Sequence, residues 1–263
     1  MVTVKTYPNP SQSYGETVCV AGVRLDRAQP EWIRLYPVKF RTTDLDARFK
    51  KYEIIKIPGT YRGADDPRPE SFKPRQDGIV HGRVVDSSKN WRERRDLLGG
   101  LLGATTTCDL IRANPAGEMA KPAPSLGLIK PTVRSVEVVP GEPWTPAERA
   151  KIEAASAPDL FGNEVPPLEA APYSVRYKYN CAHPLCAGHN QKVLDWELGQ
   201  AGRRWARQYG PKGAAEKIRQ KWGEQLISSD RDVHFFVGNQ ARYRQSFSVL
   251  GIWYPRMEDP ALF

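Results

Sequence analysis

The stretch CAHPLCAGH places Cys181, Cys186 and His189 in a Cys-x4-Cys-x2-His spacing, with His183 between the two cysteines. It separates the strand-like YSVRYKYN from a long basic helical pattern, so anything it binds fixes how the chain leaves a sheet. Thiolate and imidazole donors at this spacing suit tetrahedral zinc, because a turn at a strand end can aim three such side chains at one point. Four ligands from nine consecutive residues would be sterically tight, which makes His183 a poor fourth. A closed site therefore needs Cys108, Asp195 or a residue from elsewhere, while an open site would leave one position for water. Structural zinc is the leading reading, against a catalytic metal or buried thiols that bind nothing. The expected role is a brace, pinning the strand at Tyr177 to the basic helix.

The DWE tripeptide that follows offers a second acidic group of residues. On a helix, Asp195 and Glu197 would point well apart and could not share one ion, and Lys192 would pair with Asp195 on the surface.

Strand patterns fill the first 60 or so residues: ETVCVAGVRL, EWIRLYPVKF and KKYEIIKIPGTY are rich in β-branched and aromatic residues, with turn material between them. Helical spacing appears in SSKNWRERRDLLGGLL, limited by Gly99-Gly100. Thr145, Pro146 and Glu148 form a capping-box pattern that opens a further helix. LGLIKPTVRSVEVVPG reads as one strand with a proline at an edge or bulge. Two helices, QKVLDWELGQAGRRWARQYG and GAAEKIRQKWGEQLI, are expected on either side of Gly210-Pro211, and DVHFFVGN with SFSVLGIWYP forms a hairpin around QARYRQ. The expected fold class is α+β, mostly antiparallel sheets with packed helices and a zinc-braced C-terminal subdomain. The proline-rich segment around 158–171 serves as the linker, dividing a β-rich N-terminal domain (1–157) from a C-terminal β-α-α-β-β domain (172–263).

The blocks KTYPNPS…ETVCVAG, WIRLYPVKFR, DPRPES and the Cys/His turn followed by LDWE resemble a family of uncharacterised bacterial proteins. The resemblance covers most of the chain. It implies a bacterial cytoplasmic protein acting as one unit, and carries no activity with it.

Charge points to a partner. Lys and Arg outnumber Asp and Glu by 39 to 30, a net charge of +9 that favours a polyanion, nucleic acid before an acidic membrane surface. The cations cluster in Arg203, Arg204, Arg207, Lys217 and Lys221, and again in Arg242 and Arg244 around Tyr243, a mixture suited to phosphates and stacked bases. Lys39, Arg41, Arg48, Lys50 and Lys51 extend the same expected surface. No run of about 18 apolar residues exists to span a membrane, and no signal-peptide pattern opens the chain, so a cytoplasmic site and reduced cysteines are expected. Cys19, inside an apolar strand, reads as inert core.

These features lead to a nucleic-acid-binding protein, within a DNA- or RNA-processing or defence system. The alternative is a metal-dependent, nuclease-like hydrolase whose weak catalytic candidates are Asp66 and Glu70 in the stiff DDPRPES loop. A small-ligand sensor with a pocket on the N-terminal strands is a further alternative. No glycine-rich phosphate loop supports nucleotide-driven chemistry.

Overall fold

The computed structural model describes residues 1–11, 15–39, 48–63, 66–118, 120–157 and 165–257. Arg41 and part of the expected linker lie outside them. The N-terminal strands are β1 (Val2–Lys5), β2 (Asn9–Ser11), β3 (Gly15–Arg24), β4 (Glu31–Val38), β5 (Glu53–Lys56), β6 (Gly59–Tyr61), β7 (Ser71–Pro74) and β8 (Val80–Val84). Six of them form one sheet in the order β1-β3-β4-β7-β6, with β2 paired to the free stretch of β3, while β5 and β8 make a separate ribbon. All these pairings are antiparallel except β4 with β7. Val18, Val20, Leu35, Val38 and Phe49 form a buried cluster on this sheet.

Helix α1 (Ser88–Leu98) follows and packs Leu98 inward. A short helix, α2 (Thr107–Arg112), comes next, capped by the Thr106 hydroxyl accepting from the Asp109 N–H. The single strand expected over 126–141 is two strands, β9 (Leu126–Ile129) and β10 (Pro131–Pro140), with only Lys130 between them. They enter different sheets. β9 pairs with β13 (His234–Gln240), itself paired with β14 (Tyr243–Trp253), and β10 pairs with β11 (Tyr173–Cys181), itself paired with β12 (His189–Lys192). Both strands thus precede the expected division near 158–171, and both are paired with strands that follow it.

Helix α3 (Pro146–Ser156) starts at the expected capping box of Thr145 and Glu148. Helix α4 (Trp196–Ile218) holds the two expected helices run together: Gly210, at φ +69° and ψ 174°, breaks the helical backbone beside Pro211, where the sequence places the stop. A π-helical segment over 219–224 continues it and buries Trp222. The largest core cluster lies under α4, where Val175, Tyr177, Ile218, Trp222, Phe235 and Val249 meet. A second cluster joins Val4, Ala21 and Tyr52 to Leu128, Phe236 and Trp253, so the two ends of the chain share one interior. Among the described residues no helix is long and apolar enough to cross a membrane.

Candidate functional site

Strand alternation builds the Cys/His site. Tyr173, Val175, Tyr177, Tyr179 and Cys181 occupy every second position of β11 and are all buried, so the Cys181 thiol ends the row of side chains that faces the core. The antiparallel register sets His189 opposite Tyr179, and the turn between them brings Cys186 back, with the Cys186 N–H donating to the His183 carbonyl at 3.0 Å. Gly188, at φ +100°, makes the backbone reversal before His189.

The fourth donor comes from α2. Cys108, Cys181, Cys186 and His189 place their ligand atoms within 4.8 Å of one another. His189 Nε2 lies 3.3 Å from Cys186 Sγ and 3.5 Å from Cys108 Sγ. Tetrahedral zinc, with bonds of about 2.3 Å to sulfur and about 2.0 Å to nitrogen, requires ligand edges of roughly 3.5–3.8 Å. The two nitrogen–sulfur spacings lie close to these edges, and the donor set is that of a Cys3His site of the structural zinc type. Four protein donors close it, leaving no position for a reacting water. Hydrogen bonds already favour thiolate there. Burial pushes the Cys181 thiol up, but the backbone N–H groups of Cys108 and His183, with His189 and Cys108, outweigh it and hold Cys181 at about 6. Burial and the neighbouring sulfurs push Cys108 the other way, up to about 12. A dication removes that conflict by stabilising all three thiolates together.

His183 stays out of the cluster, its Nε2 accepting from Arg112 at 2.7 Å. Asp195 stays out as well. It caps α4, accepting from the Glu197 N–H, and its carboxylate meets the half-buried Lys51 ammonium at 3.5 Å. Glu197 reaches the same ammonium at 3.9 Å. The expected divergence of the two carboxylates fails because Asp195 is extended (φ −64°, ψ 129°) rather than helical. Lys192 pairs with Glu142 instead of Asp195. The brace is thus different from the one expected: the cluster pins the β11–β12 hairpin to α2. The basic helix is positioned by its own contacts, including the Tyr177 hydroxyl donating to the Trp222 carbonyl at 2.6 Å.

Both weak catalytic candidates are held by protein donors. Asp66 is 2% exposed, and both its oxygens accept from the buried Arg68 guanidinium, at 2.8 and 2.6 Å, with Ser71 adding a third bond at 2.7 Å. Glu70 accepts from the Ser125 N–H at 2.6 Å. These carboxylates accept from protein donors and join the N-terminal sheet to the segment before β9. Arg34 of β4 reinforces the joint, donating to the Ser125 carbonyl at 2.9 Å.

The expected nucleic-acid residues divide. Arg204, Arg207, Lys217, Arg242 and Tyr243 are exposed, and Lys221 is half-buried. Arg203 turns onto Tyr7 and Glu169. Arg244 is 4% exposed and donates to Asn114 and to the Lys121 carbonyl. It was expected in a loop, but β14 already begins at Tyr243, so alternation sends the tyrosine out and the arginine in. Lys51, expected on the same surface, is half-buried as the partner of Asp195.

The family described as Domain of unknown function (DUF8757) matches residues 103–263, and that described as Domain of unknown function (DUF8758) matches residues 1–100. No curated protein and no solved structure matches the chain. The family boundary falls between α1 and α2, which leaves all four zinc donors in the second match.

Proposed function

We propose that this chain, which belongs to the family of unknown function DUF8757 and carries the DUF8758 match over its first 100 residues, is a zinc-braced nucleic-acid-binding protein. The observation that carries this reading is the arrangement of cations on aromatic rings along α4 and its continuation. Arg204 and Lys221, from separate turns, both sit over Trp205, at 5.8 and 6.0 Å from the ring centre. Lys217 lies 5.7 Å from the ring of Tyr209, which is 47% exposed. Cations gathered beside exposed rings can meet phosphates while the rings take up bases. Tyr243, at 60% exposure beside Arg242 on the β13–β14 turn, offers a second stacking platform.

Fluorescence anisotropy with labelled oligonucleotides tests the reading. Arg204→Ala and Lys221→Ala are expected to weaken binding of every sequence and to flatten the dependence of log affinity on log salt by about one contact each. Tyr243→Ala is expected to weaken single-stranded binding selectively, by about tenfold. Affinity that does not change between low and high salt would assign this face to another partner.

A further inference from the structure

A cavity of about 540 Å³ opens where the N-terminal sheet meets the β13–β14 turn and α3. Its volume lies in the range of small-molecule sites, roughly 300–1,000 Å³. Among the described residues, five cations line it, Arg34, Arg62, Arg68, Lys151 and Arg242, against one carboxylate, Asp66. The carboxylate is consumed by Arg68 and Ser71, as described above. Arg34 and Arg68 are likewise committed, to Ser125 and to Asp66 and the Asn239 carbonyl. The other three cations keep donors to spare. Arg62 has only a 3.9 Å approach to Asp66 and a position over the Tyr36 ring at 5.7 Å. The side chains of Lys151 and Arg242 make no hydrogen bond or ion pair among the described residues.

A second observation specifies the ligand further. Asn239, 3% exposed, lines the same cavity, and its Oδ1 has no hydrogen-bond partner. The amide orientation is determined by its other end, because Nδ2 donates to the Arg244 carbonyl at 2.6 Å and a carbonyl can accept only from the NH2 group. A buried, unsatisfied acceptor costs about 1–3 kcal/mol unless something donates to it. The site thus offers donors for an anion, and beneath its wall lies one acceptor, closed to solvent, that a ligand N–H or O–H group reaches only when the wall shifts.

We propose that this cavity binds a nucleoside phosphate, with Arg62, Lys151 and Arg242 on the phosphate and the base or sugar against the wall that Asn239 lines. The choice of a nucleotide over other phosphate esters rests on the nucleic-acid reading of the protein. The same chemistry comes from a free nucleotide or from the phosphorylated end of a strand.

Isothermal titration of the full chain with the four nucleoside 5′-monophosphates, the bare nucleosides and inorganic phosphate tests the proposal. A monophosphate should bind at least tenfold more tightly than either of its parts. Lys151→Ala and Arg242→Ala should each weaken it by about tenfold, the worth of a charge-assisted hydrogen bond, with the thermal midpoint unchanged. Arg204→Ala should leave mononucleotide affinity alone, since it belongs to the α4 face. A mononucleotide that displaces a 5′-phosphorylated oligonucleotide but not its unphosphorylated counterpart identifies a strand end as the ligand; displacement of neither identifies the free nucleotide. No mononucleotide binding at millimolar concentration, or equal affinity for inorganic phosphate, would overturn the pocket while leaving oligonucleotide binding at α4 intact. Mononucleotide binding without any oligonucleotide binding would instead overturn the α4 reading and leave the pocket standing.

Discussion

Elemental analysis of protein purified without chelators is expected to return about one zinc per chain, and stripping that zinc to lower the thermal midpoint by about 10 °C. The size follows from what the metal joins. Helix α2 has six residues, too few to persist alone in water, and the metal ties it to the β11–β12 hairpin. A second tie, the 2.9 Å hydrogen bond between Thr107 and Tyr179, should keep the stripped protein folded though loosened. Cys108→Ser should release zinc as fully as Cys181→Ser, although Cys108 stands far from the others in sequence. His183→Ala should retain the metal. Because the four donors lie on α2 and the β11–β12 hairpin rather than on α4, oligonucleotide affinity should change little when Cys186 is replaced by serine and the protein remains folded. Absence of any bound transition metal would refute the site, and a Cys108→Ser protein with full zinc would refute its fourth donor.

Asp66→Ala is expected to cost about 3–5 kcal/mol of unfolding free energy, because it leaves the Arg68 guanidinium buried without its counter-charge. Glu70→Gln, which keeps an oxygen for the Ser125 N–H, should cost no more than about 1 kcal/mol. Urea denaturation at neutral pH separates the two, and equal losses would sink the argument. The pair also predicts acid sensitivity. Burial pushes the Asp66 carboxyl up, but Arg68 and Ser71 outweigh it and hold it at about 2, below its ordinary value of 3.8. A depressed carboxyl contributes stability that is complete above about pH 4 and is lost as the pH falls towards 2, here roughly 2 kcal/mol. In Asp66→Ala that part of the acid limb should disappear.

Much of the fold was legible because its signals are local. The Thr145–Glu148 box, the β13–β14 hairpin and the apolar spacing of Ile218, Trp222 and Leu226 each depend on residues a few positions apart, and each is found where the pattern placed it. Three of the four zinc donors were legible for the same reason. Cys108 was only one of several open choices, because α2 is too short for a periodic stripe. Its one signal is Thr106 followed three residues later by Asp109, a capping pattern ahead of Leu110 and Ile111. Asp195 and Glu197 misled through the opposite error, since a helical angle was applied to a residue that ends up as the cap. Cys19 was read as inert core, yet it receives an Arg34 N–H at 2.9 Å and borders the cationic cavity, a pairing set by strand register rather than by sequence spacing.

The single-residue joint at Lys130 also governs how the protein comes off the ribosome. All four residues of β9 are buried in the finished molecule, and their partners on β13 are the residues from Gly238 back to Phe235, more than a hundred positions later. Until that length has been translated, LGLI is an unpaired apolar edge of the sort that seeks any available strand. β10 finds its partner β11 sooner, so its sheet can form while β9 still waits. Such separated pairing makes for slow acquisition of the native state and a long exposure to misassociation. Pulse-labelled chains released before residue 234 should therefore be retained by chaperones, while full-length chains should be set free.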